Sequence, residues 1–201
     1  MVEEFNIVIA GVGGQGVILI SELLGNAAVK DGLNVRGSEV LGMAVRGGSV
    51  SSTIRIGNGV LAPLAPAGKC DILVGMEPAE TLRNISYLSP SSLVILNTKV
   101  TAPYTVAIGE SKYPGLETVI EKLSGASKKV FTLNAVEVAE KAGSTQSANV
   151  VMLGTLFGTG QVPIKLETVK AEIKSRFSDR LAEVNMKAFN LGYEISHNSN
   201  G

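Results

Sequence analysis

The 201-residue sequence has one cysteine, Cys70, and one histidine, His197. A single cysteine closes no intramolecular disulfide and cannot hold an iron–sulfur cluster, which draws on about four thiolates. His197 stands close to the C-terminus, where chains fray, so a histidine metal site or a Ser-His-Asp triad is not expected. Lysine plus arginine and aspartate plus glutamate each total 18. The basic excess of a general nucleic-acid binder is therefore missing. Although 45% of the residues are hydrophobic, no run approaches the roughly twenty residues of a membrane span. The opening Met1-Val2-Glu3-Glu4 lacks the basic segment of a secretory signal, so a cytoplasmic protein is the expectation. Near-zero net charge on so apolar a composition points to a surface that meets a partner.

What remains is the pattern of an α/β domain of ordinary size. Phe5–Ala10 is a continuous apolar run, as in a central parallel strand. A glycine loop follows, then a helix from about Gly16 to Lys30 whose Val17, Ile20, Leu24 and Ala27 form one stripe. Leu33–Val40 returns as a strand, which makes a βαβ unit. Leu41–Gly48 is irregular. Ser49–Ile56 then alternates, with Val50, Ile54 and Ile56 on one face and Ser51, Thr53 and Arg55 on a wet one. Gly57-Asn58-Gly59 reads as a turn that lets Val60–Ala62 pair back as a hairpin, so the sheet is expected to be mixed.

Further on, strands are expected at Asp71–Met76, Ser92–Leu96, Tyr104–Ile108 and Val130–Leu133. Helices are expected from Pro78 to Arg83, over Leu116–Leu123, and from the N-cap Asn134 to Gly143. Asn149–Phe157 is apolar all round, hence buried in the domain or under a partner. Two amphipathic helices close the chain and are expected to pack on the sheet. Leu166, Val169, Ile173 and Phe177 mark the first; Leu181, Val184, Ala188, Leu191 and Ile195 mark the second. The expected organisation is one domain over 1–196 and a flexible tail over 197–201.

Two constellations carry chemistry. Gly11-Val12-Gly13-Gly14-Gln15-Gly16 satisfies G-x-G-x-x-G between a strand and a helix. Backbone N–H groups and the helix N-terminus there can hold an anion; a tight turn with close helix–strand contact is the plainer explanation. Arg46-Gly47-Gly48-Ser49 places a guanidinium fork beside two glycines and a hydroxyl, suited to phosphate or carboxylate, unless it is a solvated loop. Glu77, Asn97 and Asn134 end strands and can line the same crevice, although each also serves as a turn former or helix cap. Cys70 reads as a small buried hydrophobe. The dinucleotide interpretation of the glycine loop would use Glu39 as the ribose-binding acid. Against it, Arg36 and Gly37 interrupt that strand, and no helix follows it.

With both loops in view, the chain resembles the gamma-type subunit of the 2-oxoacid:ferredoxin oxidoreductases, and most closely the indolepyruvate type. GVGGQGV, RGGSV with the following IRIG, VLAPLAPAGKCDILVGMEPAETLRNISYL and EVNMKAFNLG carry the match over nearly the whole chain. It departs at Gly42-Met43-Ala44-Val45-Arg46, where indolepyruvate members often read Gly-Met-Ser-Gln-Arg.

The resemblance implies a three-layer α/β/α, Rossmann-like fold with a mixed, mainly parallel sheet. It implies a complex that converts a 2-oxoacid, coenzyme A and oxidised ferredoxin to acyl-CoA, CO2 and reduced ferredoxin. Thiamine diphosphate, Mg and 4Fe-4S clusters would reside on partner subunits, and this chain would bind none of them itself. It would close the active-site crevice and help bind CoA or oxoacid through residues 11–16 and 46–49, without catalytic residues of its own. The partners would be the thiamine- and cluster-bearing subunits, and ferredoxin through the complex, with no nucleic acid and no membrane. An NAD(P)- or FAD-binding oxidoreductase and a purely structural assembly subunit are the competing readings.

Overall fold

A computed structural model describes residues 2–42, 47–103, 106 and 108–199. Among these lie six strands: β1 (Phe5–Val12), β2 (Val35–Leu41), β3 (Ser49–Ile56), β4 (Ile72–Gly75), β5 (Leu93–Asn97) and β6 (Lys129–Leu133). Seven α-helices accompany them: α1 (Val17–Lys30), α2 (Pro78–Arg83), α3 (Leu116–Ala126), α4 (Ala135–Ala142), α5 (Ala148–Gly158), α6 (Leu166–Arg176) and α7 (Asp179–His197).

The strands form one sheet in the order β2-β3-β1-β4-β5-β6. β1, β4, β5 and β6 are mutually parallel, and β3 runs antiparallel to both β1 and β2. The sheet is thus mixed and mainly parallel, with helices on both faces. The apolar run of β1 is explained by burial on both sides: Ile7 and Ile9 face the core under α1, α4 and α5. Val8 and Ala10 face a second core, under α3. An element buried on two faces needs no alternation.

Several expectations are corrected. β2 does not lie beside β1, because β3 inserts between them, so the hairpin is β2–β3 and Val60–Ala62 forms no strand. Nor is the second face of β3 wet. Thr53 and Arg55 are buried, the latter donating to the carbonyls of Ala62 and Leu64, which fold back over it at 2.7 and 3.1 Å. Chain connectivity alone did not show that the 60–65 segment is a cover and not a strand. Of the strand expected over Tyr104–Ile108, residues 104, 105 and 107 lie outside the described residues; Val106 and Ile108 belong to no strand.

The last two helices do not pack directly on the sheet as expected. α7 lies on α5, and α6 packs against α1 and α7. Asn149–Phe157 is therefore buried by this domain's own α7 and offers no contact surface. Glycines allow that close crossing: a Cβ on Gly154 would lie 2.0 Å from the Phe189 carbonyl, and one on Gly192 2.1 Å from that of Val151. The buried ridge of α7 is Asn185, Ala188, Phe189, Gly192 and Ser196, with Leu181 outside it and exposed. Hydrophobicity misplaced this ridge because three of its five residues are polar or glycine. α7 continues to His197, whose ring stacks on Tyr193 at 5.2 Å.

Candidate functional site

The four parallel strands end on one edge of the sheet, and β3 starts there, with Ser49 opposite Val12. Both glycine segments consequently meet at the crevice where open α/β sheets bind ligands. They are joined through their backbones. Gly13 N–H donates to the Gly48 carbonyl (2.8 Å), and Gly47 N–H donates to that of Gly13 (3.2 Å). Arg46 lies outside the described residues. Gly47, Gly48 and Ser49 stand where expected, but the amides of Gly13 and Gly47 already have acceptors.

The loop is shaped by its own side chain. Gln15 Oε1 accepts from Val12 N–H at 2.9 Å, and its Nε2 donates to the Met76 carbonyl at 3.2 Å and to Thr101 Oγ1 at 3.4 Å. Gln15 is thus a tie between the ends of β1 and β4 and the segment after β5. Gly14 and Gly16 take φ of +98° and +77°, the left-handed region that costs other L-residues roughly 1–2 kcal/mol. Gly16 is also the N-cap of α1, a helix with no side-chain cap and no acidic residue in its first turn.

Between this loop and the start of α5 lies a cleft of about 240 Å³ lined by Gly14, Gln15, Asn97, Lys99, Gln146 and Asn149, among others. No acidic side chain lines it among the described residues. Asn97 is fixed in its wall: Nδ2 donates to the Met76 carbonyl (3.0 Å) and Oδ1 accepts from Ala135 N–H (3.0 Å). Lys99, Gln146 and Asn149 were missed by the sequence reading. Their only signal was position just after a strand or at a helix start, which thousands of structural residues share.

The other strand-end residues are structural. Glu77, buried, caps α2 by accepting from Glu80 N–H at 3.0 Å. Its other oxygen accepts from Thr101 N–H at 3.3 Å and from the Tyr113 hydroxyl. Burial first, and then the hydrogen bond to Glu77, push the Tyr113 hydroxyl well above its ordinary pKa. Asn134 caps α4 by accepting from Glu137 N–H at 3.3 Å. Cys70 is buried, and desolvation pushes its thiol up to about 12. The described residues contain no group of three or more His, Cys, Asp or Glu able to hold a metal ion. No described helix is long and apolar enough to cross a membrane.

The geometry bears on the dinucleotide reading as well. With β3 inserted, Glu39 on β2 stands two strand spacings from β1, roughly 10 Å, and accepts instead from Ser21 Oγ on α1 at 3.2 Å. Glu39 therefore does not stand on the strand next to β1, where the dinucleotide fingerprint places its acid.

These strands and helices make an α/β domain with a mixed sheet and a glycine-loop crevice at its strand ends. Residues 6–195 match the pyruvate ferredoxin/flavodoxin oxidoreductase family, and the chain belongs to it. It is 44% identical to the indolepyruvate oxidoreductase subunit IorB of Archaeoglobus fulgidus, over 94% of each chain. It is 30% identical to the common gamma subunit of the pyruvate/ketoisovalerate oxidoreductases of Pyrococcus abyssi, over 92% of each. In fold it is similar to a 2-oxoglutarate:ferredoxin oxidoreductase from Magnetococcus marinus, solved with 2-oxoglutarate, coenzyme A and succinyl-CoA bound. The TM-score is 0.72 at 18% identity, over 96% of this chain and 31% of that one.

Proposed function

We propose that this chain is the subunit of an indolepyruvate-type ferredoxin oxidoreductase that carries no redox cofactor and lines a binding crevice for CoA or the oxoacid. Membership of a 2-oxoacid:ferredoxin oxidoreductase complex rests on the full-length similarity to subunits of such enzymes. The aryl 2-oxoacid is favoured because identity is 44% to the indolepyruvate subunit against 30% to the pyruvate/ketoisovalerate subunit.

The observation that carries the binding role is the pair of backbone hydrogen bonds between Gly13 and the Gly47-Gly48 segment. They join two sequence-distant glycine motifs at the strand-end edge of the sheet, beside the cleft that Gly14 and Gln15 line. Thiamine diphosphate, Mg and the 4Fe-4S clusters belong on the partner polypeptide. The single thiol here is buried, and its raised pKa leaves it a poor thiolate ligand. When bound on the partner, thiamine diphosphate supplies the decarboxylation chemistry. This chain orients an anionic reactant and excludes water beside it.

Co-expression with a thiamine- and cluster-bearing subunit tests this reading. The pair is expected to co-purify and to reduce ferredoxin only with both indolepyruvate and CoA present, while this chain alone turns over nothing. Unaided oxidation of a 2-oxoacid by this chain, or an active complex from which it can be omitted, would refute it.

A further inference from the structure

β2 is an end strand of the sheet, and among the described residues only β3 pairs with it. The hairpin sets which of its backbone groups are used. Gly42 N–H donates to the Ser49 carbonyl (2.8 Å), and Gly57 N–H donates to that of Asn34 (2.9 Å). Antiparallel partners exchange hydrogen bonds at every second residue, so Arg36, Ser38 and Val40 bond to β3. The N–H and C=O groups of Val35, Gly37, Glu39 and Leu41 therefore point outward, away from the sheet. Of this row, the Val35 carbonyl accepts from the exposed Arg36 Nη1 at 3.1 Å.

An open row of this kind invites a further strand, and folds usually blunt it with a short strand, lysine, proline or a covering element. The opposite edge, β6, spans five residues and starts at Lys129, with Lys128 before it. β2 spans seven residues, has neither lysine nor proline, and ends in Val40 and Leu41. These two side chains lie on opposite faces of the sheet and are 57% and 58% exposed.

We propose that the β2 edge pairs with the same edge of a second copy of this chain, antiparallel across a two-fold axis at Ser38. The sequence is self-complementary in that register. The strands overlap over their full length, Val35 meets Leu41 of the second copy at both ends, and Gly37 stands opposite Glu39. Four outward pairs exchange two hydrogen bonds each, about eight in all. Other registers are worse. An axis at Gly37 sets Val35 against Glu39, whereas an axis at Glu39 or at Arg36 opposes like charges, which destabilises a strand pair. Two six-stranded sheets then continue as one, and the pairing does not depend on what either crevice binds. Seven paired residues bury less than the roughly 1,200 Å² of a standard interface, so the dimer is weak and reversible, with a Kd in the micromolar range.

The test is sedimentation velocity of the full chain between roughly 5 and 500 µM, where monomer is expected to pass to dimer. Hydrogen exchange at the higher concentration should slow at the amides of Val35, Gly37, Glu39 and Leu41. Those of Ser38 and Val40, bonded to β3, should be protected at every concentration. Gly37 supplies a charge test, because a Cβ there meets nothing closer than 3.4 Å. Gly37→Glu sets a carboxylate opposite Glu39 of the second copy, twice per dimer, and is expected to weaken association at least threefold. Gly37→Lys is expected to strengthen it by a similar factor. Leu41→Lys, at a bare position, should weaken association without any change at Gly37, and circular dichroism verifies that each variant folds.

A chain that stays monomeric at the highest concentration would overturn the proposal. So would slowed exchange outside the outward row, or equal effects of Gly37→Glu and Gly37→Lys. Protection of the row only on adding the thiamine- and cluster-bearing subunit would overturn it as well, and would give the edge to that partner.

Discussion

Replacing Gly154 by alanine tests the close crossing of α5 and α7. In a helix with room for the methyl group, this change is stabilising by about 0.5–1 kcal/mol, because glycine loses more backbone entropy on folding. At Gly154 the added Cβ would lie 2.0 Å from the Phe189 carbonyl oxygen, whereas ordinary contact begins at 3.4 Å. The helices must therefore separate by more than an ångström along a contact that includes the tilted Phe157–Phe189 pair at 5.8 Å. Overpacking of this kind costs roughly 1–3 kcal/mol. The net is a loss of about 1–2 kcal/mol, which for a domain of this size lowers Tm by roughly 2–8 °C. Gly25→Ala, in α1 with nothing within 4 Å of the new atom, is the control and should raise Tm slightly. Thermal and urea unfolding followed by circular dichroism read both variants. If G154A matched or exceeded G25A, the assignment of α5 and α7 to direct backbone contact would be wrong.

Other outcomes follow from the buried polar groups. Cys70, its thiol pushed up to about 12 by burial, should resist alkylation at pH 8 in the native chain and react only once urea unfolds it. Arg55→Met removes the donors to Ala62, Leu64, Asn6 and Glu4. It should cost roughly 2–4 kcal/mol and expose the 60–65 cover to limited proteolysis; a variant as protease-resistant as the wild type would contradict this. Hydrogen bonds from Asn6 and then Arg55 hold the Glu4 carboxyl below its ordinary value of 4.5. A depressed carboxylate adds stability above its unfolded pKa and loses it as pH falls through the lower folded value. Glu4→Gln should therefore be less stable at pH 7 and lose less between pH 5 and 3; parallel acid limbs would contradict the pairing.

The parts legible in the sequence were those decided locally. β1 was visible because burial on both faces removes polar interruptions. α2 was visible from Pro78, and α4 from Asn134 and Gly143 at its two ends. The glycine loop was located because strand, loop and helix are contiguous. What escaped depended on distant partners. β3 could pair with either neighbour on its own alternation, and only the assembled sheet sets β2 against it. Arg55 read as solvated because its acceptors, the Ala62 and Leu64 carbonyls, are backbone atoms with no signature. Asn149 and Lys99 reach the cleft only when α5 and the end of β5 are brought against Gly14 and Gln15. The ridge of α7 escaped because Asn185, Gly192 and Ser196 fit α5 by being small or internally bonded, not by being hydrophobic.

Steady-state kinetics of the complex with its thiamine- and cluster-bearing partner test the central claim most directly. Wild type is to be compared with Arg46→Ala and Lys99→Met at saturating ferredoxin. If this chain contributes binding and no chemistry, the KM for CoA or for the oxoacid should rise by roughly tenfold while kcat stays near the wild-type value, the signature of lost uniform binding. Unchanged KM values in both variants, with full assembly of the complex, would contradict the claim and leave the chain a structural subunit.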